Sequence, residues 1–185
     1  MKKFDKKELL SIPNIMGYFR ILMIPVFCYL YLTAKTERDI WMAAAVVLIS
    51  SLTDMLDGLV ARKFNMITEF GKFLDPFADK LTHAALAICL AVRYPMMWNL
   101  IGLMVIKEGY MAVMGLILIK KGKKLDGAMW FGKICTAILF LGMLALFLTV
   151  EVPQNAANGL IFLMMLVMLS TLIMYIPVFE KMRKA

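Results

Sequence analysis

The sequence predicts an all-α integral membrane protein with six transmembrane helices, and three observations lead to this fold class. Of the 185 residues, 62% are hydrophobic, whereas a soluble domain is about half apolar. The mean hydropathy is +0.80. Six apolar stretches, each long enough to cross ~30 Å of hydrocarbon, are separated by short polar segments. The length predicts a single membrane domain over residues 1–185.

The amino-terminal segment differs in character from the rest of the chain. Four lysines alternate with apolar residues in residues 1–10, which predicts an amphipathic helix lying on the membrane surface. A frayed tail is the alternative. The segment lacks the apolar centre and small-residue cleavage site of a signal peptide. The six-helix transmembrane bundle is predicted over residues 12–179.

The spans are bounded by turn-forming or basic residues. Pro13 suits the first turn of a helix, and Pro76 falls in the first turns of the third span, where proline is best tolerated. Glycines and lysines form a loop after the fourth span. The predicted spans are residues 12–33, 39–62, 71–93, 96–119, 129–150 and 156–179.

The distribution of basic residues predicts the orientation in the cell membrane. With the amino terminus in the cytoplasm, fifteen Lys and Arg residues fall on the cytoplasmic side and three on the opposite side. Cytoplasmic loops carry such an excess, so both termini are predicted to be cytoplasmic. The net charge of +8 is ascribed to anionic lipid headgroups, and no nucleic-acid partner is expected.

Residues 54–79 carry the chemistry. Asp54 and Asp57 are three residues apart, and Asp75 and Asp79 are four apart. On a helix, each spacing puts both side chains on one face. Two helices joined by a short basic connector could bring the four carboxylates together at the cytoplasmic surface. Hard divalent cations, which take oxygen ligands, are the expected partners. A set of solvated helix ends is the alternative.

Small residues accompany the carboxylates. Gly58 lets a ligand or a neighbouring helix approach closely, and Ala61 lies on the face of Asp54. Gly71 has a similar place at the start of the third span. Arg62 is a fixed cation that could reach a diphosphate. Two bound ions could clamp the oxygens of an in-line phosphoryl displacement.

Eight residues fit the pattern Asp-x2-Asp-Gly-x2-Ala-Arg-x8-Gly-x3-Asp-x3-Asp without insertion or deletion: Asp54, Asp57, Gly58, Ala61, Arg62, Gly71, Asp75 and Asp79. The chain therefore resembles the CDP-alcohol phosphotransferases. The resemblance implies transfer of a phosphatidyl or related group from a CDP-linked donor to an acceptor hydroxyl, with release of CMP. The donor would be CDP-diacylglycerol, with its lipid tails between the spans. A homodimer is also implied.

The resemblance also implies the site residues. Asp54, Asp57, Asp75 and Asp79 would bind two Mg²⁺ or Mn²⁺ ions, and Asp79 would also act as general base on the acceptor hydroxyl. The residues expected to hold the CDP donor are Asn14, Gly17, Gly58, Ala61, Arg62, Thr68 and Gly71.

Three parts of the chain are most similar to the phosphatidylglycerophosphate synthases: Ile12-Pro13-Asn14 with Phe19-Arg20, the pair Lys107-Glu108, and Gly132-Lys133 with Thr136. This similarity implies sn-glycerol 3-phosphate as acceptor, with Lys107 and Lys133 as its cationic contacts. Lys107 replaces the usual arginine, and Cys135 stands where a second lysine is usual. A cardiolipin synthase using phosphatidylglycerol and an enzyme using an inositol phosphate are alternatives. A transporter or scaffold is the non-enzyme alternative, and Lys107-Glu108 could be only a stabilising salt bridge.

Two more polar residues lie within the spans. Arg20 is a functional candidate because charges inside membrane helices face protein or water; the alternative is that its side chain snorkels to the surface. His83, four residues after Asp79, either tunes the base or is a packed helix residue.

Overall fold

The computed structural model describes residues 10–64, 66, 68–122, 129–149 and 152–184. Within these ranges it contains six α-helices and no strand, which confirms the all-α prediction. Nearly all of the predicted surface helix, residues 1–9, lies outside the described part. The helices are α1 Ile12–Leu32, α2 Glu37–Lys63, α3 Glu69–Arg93, α4 Met97–Lys120, α5 Trp130–Leu148 and α6 Gln154–Lys184.

Local sequence explains where α2 begins. The Thr36 hydroxyl accepts a hydrogen bond from the Asp39 amide at 3.3 Å, and the Asp39 carboxylate accepts one from the Thr36 amide at 2.9 Å. This capping box satisfies two backbone donors that have no partner within the helix. At its other end, α2 continues to Lys63. It therefore contains Asp54 and Asp57, the first half of the motif over residues 54–79, which we call the acidic motif.

Five helices are long and apolar enough to cross a membrane: α1, α2 as far as Ala61, α4, α5 and α6. The third helix is long enough at 25 residues, but it contains six charged residues, which are Glu69, Lys72, Asp75, Asp79, Lys80 and Arg93. Five of these charges lie in its first half. The chain is therefore a multi-pass membrane protein, and α3 is polar where the acidic motif falls.

The chain forms two compact units, Met1–Cys89 and Leu90–Ala185. In the first unit, α1 packs along α2 and approaches α3 at Gly17. A Cβ atom on Gly17 would lie 2.8 Å from Leu74 Cδ2, so the two helices come close only because this residue lacks a side chain. The rings of Tyr18 and Phe70, 6.2 Å apart, continue this contact toward the start of α3.

In the second unit, α4 and α5 pack on α6. The buried core of this unit joins the end of α4, the start of α5 and the last turns of α6 through Leu118, Phe131, Tyr175 and Phe179. The rings of Phe131 and Tyr175 meet edge to face with centroids 4.7 Å apart. Lys121 donates to the Arg183 carbonyl at 3.1 Å. The ends of α4 and α6 are therefore neighbours, as an up-and-down chain requires.

We expect Gly17→Ala to lower the melting temperature of the purified protein. The new methyl group would collide with Leu74, which is 5% exposed and has little room to move. Overpacking of this kind costs roughly 1–3 kcal/mol. Thermal unfolding in detergent measures the effect. Gly102→Ala in α4 is the matched control, because no atom lies within 4 Å of the position that its Cβ would take; an equal loss in both variants would contradict close packing at Gly17.

Candidate active site

The acidic motif is held by an arginine from another helix. Arg20 lies in the middle of α1 and is 2% exposed. Its Nη1 forms an ion pair with Asp54 Oδ1, and its Nη2 donates to Asp57 Oδ2 at 2.9 Å. The expectation that Arg20 could snorkel to the surface is therefore wrong. The positive charge of Arg20 is paired inside the protein with two carboxylates of α2.

The carboxylates of α3 join the same cluster. Asp75 and Asp79 are both half-buried, and Asp54 interacts electrostatically with each of them. The Arg20 guanidinium also acts on Asp75. The structure thus joins the four predicted metal-binding aspartates into one group, in which each interacts electrostatically with at least two others. We call Arg20 and these four aspartates the acid cluster.

The donor set of the acid cluster fits a divalent cation in its chemistry. All four acidic side chains offer carboxylate oxygens, the ligands that Mg²⁺ and Mn²⁺ prefer. When all groups are ionised, four carboxylates against one guanidinium leave three negative charges in excess. Within the described residues, however, no three acidic, histidine or cysteine side chains are already arranged to hold an ion. Arg20 occupies oxygens of Asp54 and Asp57 instead.

A cavity of about 310 Å³ opens beside the acid cluster, at the start of α3. The residues that line it are Pro13, Asn14, Gly58, Ala61, Met66, Thr68, Gly71, Lys72 and Asp75. Five of the predicted donor-binding residues are among them. Gly17 packs against Leu74 rather than joining this lining. Arg62 follows Ala61 in α2, and its side chain lies outside the described part of the structure.

A hydrogen-bond network shapes the cavity wall. Asn14 Nδ2 donates to Thr68 Oγ1 at 3.2 Å, and the same hydroxyl oxygen accepts from the Gly71 amide at 2.9 Å. Thr68 therefore caps the amino terminus of α3 and ties it to α1. A Cβ atom on Gly71 would lie 2.7 Å from Asn14 Oδ1 and 2.9 Å from Thr68 Oγ1. This network is possible only with glycine at position 71.

His83 lies one turn after the predicted general base. Its Nδ1 is 2.8 Å from the carbonyl oxygen of Asp79. Because a carbonyl can only accept, Nδ1 carries the proton in this contact. The half-buried ring also interacts electrostatically with Asp54. His83 thus contacts the backbone of Asp79 and lies within electrostatic reach of Asp54.

The two residues predicted to contact the acceptor lie in the second unit. Lys107 is 9% exposed and donates to Glu108 Oε1 at 2.9 Å. Lys133 is exposed near the start of α5. The salt bridge considered for Lys107 and Glu108 is thus present. A cationic acceptor pocket that includes Lys107 and Lys133 stays a prediction.

Comparison with known proteins agrees with the motif. The family model of the CDP-alcohol phosphatidyltransferases matches residues 10–178. The chain belongs to this family. It is 30% identical over 129 residues to the CDP-diacylglycerol–glycerol-3-phosphate 3-phosphatidyltransferase of Escherichia coli K12, covering 68% of this chain and 70% of that enzyme. The Shigella flexneri protein of the same name gives the same values.

A second kind of relative is a fusion protein of Schizosaccharomyces pombe, described as a cardiolipin synthase (CMP-forming) and mitochondrial hydrolase. The chain is 37% identical to it over 100 residues, which are 54% of this chain and only 16% of the fusion protein. Both kinds of relative belong to phospholipid synthesis by their names. The prediction of a CDP-alcohol phosphatidyltransferase is therefore confirmed at the level of the family, which is generally dependent on divalent metals. The transporter and scaffold alternatives lose their support.

Several residues of the candidate site were not predicted from the sequence of this phosphatidyltransferase family member. The sequence predicts no site role for the lining residues Pro13, Met66 and Lys72, and it allows two interpretations of Arg20. Lys72 follows the motif glycine directly, which was a usable signal. The position of Arg20 inside an apolar run was a second signal, although its partners lie 34 and 37 residues away in the chain.

We expect Thr68→Val to weaken the junction between α1 and α3. Valine has nearly the same shape but removes both the helix cap and the acceptor for Asn14. The loss of a cap costs about 1 kcal/mol, and the loss of the hydrogen bond from Asn14 to Thr68 adds to it. Thermal unfolding compares this variant with Thr68→Ser, which keeps the hydroxyl group. Equal melting temperatures for the two variants would rule out the network as a source of stability.

Proposed function

We propose that the protein is a phosphatidylglycerophosphate synthase, which transfers the phosphatidyl group of CDP-diacylglycerol to sn-glycerol 3-phosphate and releases CMP. The observation that carries this proposal is the cavity at the start of α3. Donor-binding candidates such as Gly58 and Thr68 line it, and so does Asp75 of the acid cluster. A nucleotide in this cavity would therefore have its diphosphate next to the carboxylates.

The cavity suits the diphosphate of the donor in three ways. The amino terminus of α3 lines it through Thr68, Gly71 and Lys72 and brings the positive end of the helix dipole to it. Lys72 lines the cavity and adds a positive charge, and Arg62 is a further cation in the same turn of α2 as Ala61. Gly58 and Ala61 have little or no side chain, so the nucleotide can approach the helix backbone closely.

The acid cluster is the proposed metal centre. Asp54, Asp57, Asp75 and Asp79 would hold two Mg²⁺ or Mn²⁺ ions. When bound, such ions polarise the phosphate oxygens and neutralise the charge that develops on the leaving group. Asp57, which is 3% exposed, already accepts a hydrogen bond from Arg20, so a bound ion would share this carboxylate with the guanidinium.

Asp79 is the proposed general base. It would take the proton from the acceptor hydroxyl as this oxygen attacks the phosphorus that bears the diacylglycerol. The new P–O bond forms on that phosphorus, the P–O–P bond to the cytidine phosphate breaks, and CMP leaves with the electron pair. Asp79 is half-buried and lies within the electrostatic field of Asp54, so it is close to the proposed metal ligands.

Two observations concern the acceptor. The alignment covers 70% of the Escherichia coli enzyme but only 16% of the fusion protein, which favours glycerol 3-phosphate as acceptor. The phosphate dianion of this acceptor would need positive charges such as those of Lys107 and Lys133. The higher local identity to the fusion protein favours the second candidate, a cardiolipin synthase that uses phosphatidylglycerol. This acceptor lacks a phosphate monoester and therefore has less need of Lys107.

The proposal includes six membrane spans, with α3 among them, and both termini in the cytoplasm. The excess of basic residues on one side supports this orientation. The start of α1, the end of α2 and the start of α3 all contribute to the cavity, so the site would face the cytoplasm at the cell membrane. A homodimer is proposed from the family resemblance; light scattering in detergent tests it, and a monomer mass would refute it.

Purified protein with labelled CDP-diacylglycerol tests the function directly. CMP release is measured with Mg²⁺ and, in separate reactions, glycerol 3-phosphate, phosphatidylglycerol or an inositol phosphate. The proposal requires the fastest release with glycerol 3-phosphate and none with EDTA. Preference for phosphatidylglycerol would establish the second candidate, and no release with any acceptor would overturn both.

Substitution of the acid cluster should abolish turnover. We expect Asp57→Asn and Asp79→Asn each to lower kcat for CMP release by about 10²-fold or more, because the first loses a metal ligand and the second a base. Glu37→Gln, exposed at the opposite end of α2, is the control and should leave kcat unchanged. Near-normal turnover of Asp57→Asn at saturating Mg²⁺ would refute its assignment.

Lys107→Ala separates the acceptor site from the donor site. If Lys107 binds the phosphate of the acceptor, its loss should raise the KM for glycerol 3-phosphate by roughly 10- to 100-fold, with a much smaller change in the KM for CDP-diacylglycerol. Lys120→Ala, exposed at the end of α4, serves as the control. An unchanged acceptor KM would remove Lys107 from the acceptor site and leave it as a partner of Glu108.

A further inference from the structure

We propose that Arg20 is an internal counter-ion for the acid cluster, which stabilises Asp54 and Asp57 when no divalent cation is bound and competes with the cation for them. This inference rests on the proposed function in one respect, namely that these carboxylates take up a divalent ion. It assigns to α1 a positioning residue that the family motif of α2 and α3 does not contain.

The burial of Arg20 requires a partner for its charge inside the protein. Arg20 is among the largest fully buried side chains of the described residues. Its Nε is buried without a hydrogen-bond acceptor in the described part of the chain, whereas its two terminal nitrogens face Asp54 and Asp57. An arginine keeps its charge at any accessible pH. The two carboxylates are therefore what makes its burial tolerable.

The same interaction is needed from the side of the carboxylates. Asp57 is 3% exposed and lies in the field of Asp54 and Asp75. Without a cation among them, these like charges would repel each other in a region of low dielectric constant. The guanidinium of Arg20 supplies the positive charge, and its planar shape lets it bind one oxygen of each aspartate at once.

Competition follows from the geometry. A metal ion bound by Asp54 and Asp57 would use the oxygens that Arg20 now contacts. It would also meet the positive charge of Arg20 at short range, so Arg20 must lower the affinity of the site for the ion. The same contact holds α1 and α2 in their arrangement when no metal ion is bound. Arg20 thus couples the affinity for the ion to the stability of the ion-free protein.

Arg20→Met tests this coupling, because methionine fills similar apolar volume without charge. Thermal unfolding with EDTA and with saturating Mg²⁺ is followed by a thiol-reactive fluorophore, which reports the exposure of buried Cys89 and Cys135. We expect a large loss of melting temperature in EDTA and recovery of most of it in Mg²⁺. The dissociation constant of Mn²⁺, measured by electron paramagnetic resonance, should fall by about tenfold or more.

Arg20→Lys is the matched control. It keeps the positive charge, so its Mn²⁺ dissociation constant should stay within about twofold of the wild type, although a single ammonium group bridges two carboxylates less well. If Arg20→Met unfolds in EDTA, purification in Mg²⁺ throughout should still yield folded protein. Absence of folded protein under both conditions would overturn the proposal.

The remaining outcomes separate this inference from the proposed function. An equal loss of melting temperature with and without Mg²⁺, together with an unchanged Mn²⁺ dissociation constant, would make Arg20 a purely structural residue. Wild-type protein that releases CMP and binds Mn²⁺ would meanwhile retain its proposed function. A wild type that neither binds Mn²⁺ nor releases CMP would overturn the metal centre and the role of Arg20 together.

Discussion

The ion pair of Arg20 with Asp54 and Asp57 is the interaction on which the first unit depends. It joins α1 to α2, two helices that are mostly apolar, at a buried point where a charge without a partner would be far too costly. The apolar surface of the helices brings them together but does not define their relative position along the membrane normal. A bidentate contact between one guanidinium and two carboxylates does define it, because both aspartates must lie level with Arg20.

Close backbone approach is the second constraint, and it places the cavity next to the acid cluster. Gly17 lets α1 approach α3, and Gly71 leaves space for the Asn14 amide and the Thr68 hydroxyl. These contacts hold the amino terminus of α3 beside the end of α2. As a result, the cavity and the acid cluster lie side by side at one end of the helices. Such an arrangement suits a membrane enzyme whose substrate joins a polar nucleotide to a lipid.

Sequence reasoning succeeded where a property is local. The bounds of α1 to α5 agree with the predicted spans within three residues at each end, because hydropathy and helix caps act over short distances. The sixth helix continues to Lys184, beyond the predicted end of the apolar span, because its last turns are polar and hydropathy does not detect them. The helical period of 3.6 residues already put Asp54 with Asp57, and Asp75 with Asp79, on common faces. Asn14, Gly58 and Thr68 were found by resemblance to a family, and they line one cavity in the structure.

The sequence by itself therefore determined the fold class, the helices and the pairs of carboxylates, since each depends on neighbouring residues. Only the tertiary structure decided the partners of Arg20, the contact of Asn14 with Thr68 across 54 residues, and the place of Lys72 in the cavity wall. These depend on which faces of distant helices meet. Hydropathy along a membrane helix carries little information about that, because most faces of such a helix are apolar.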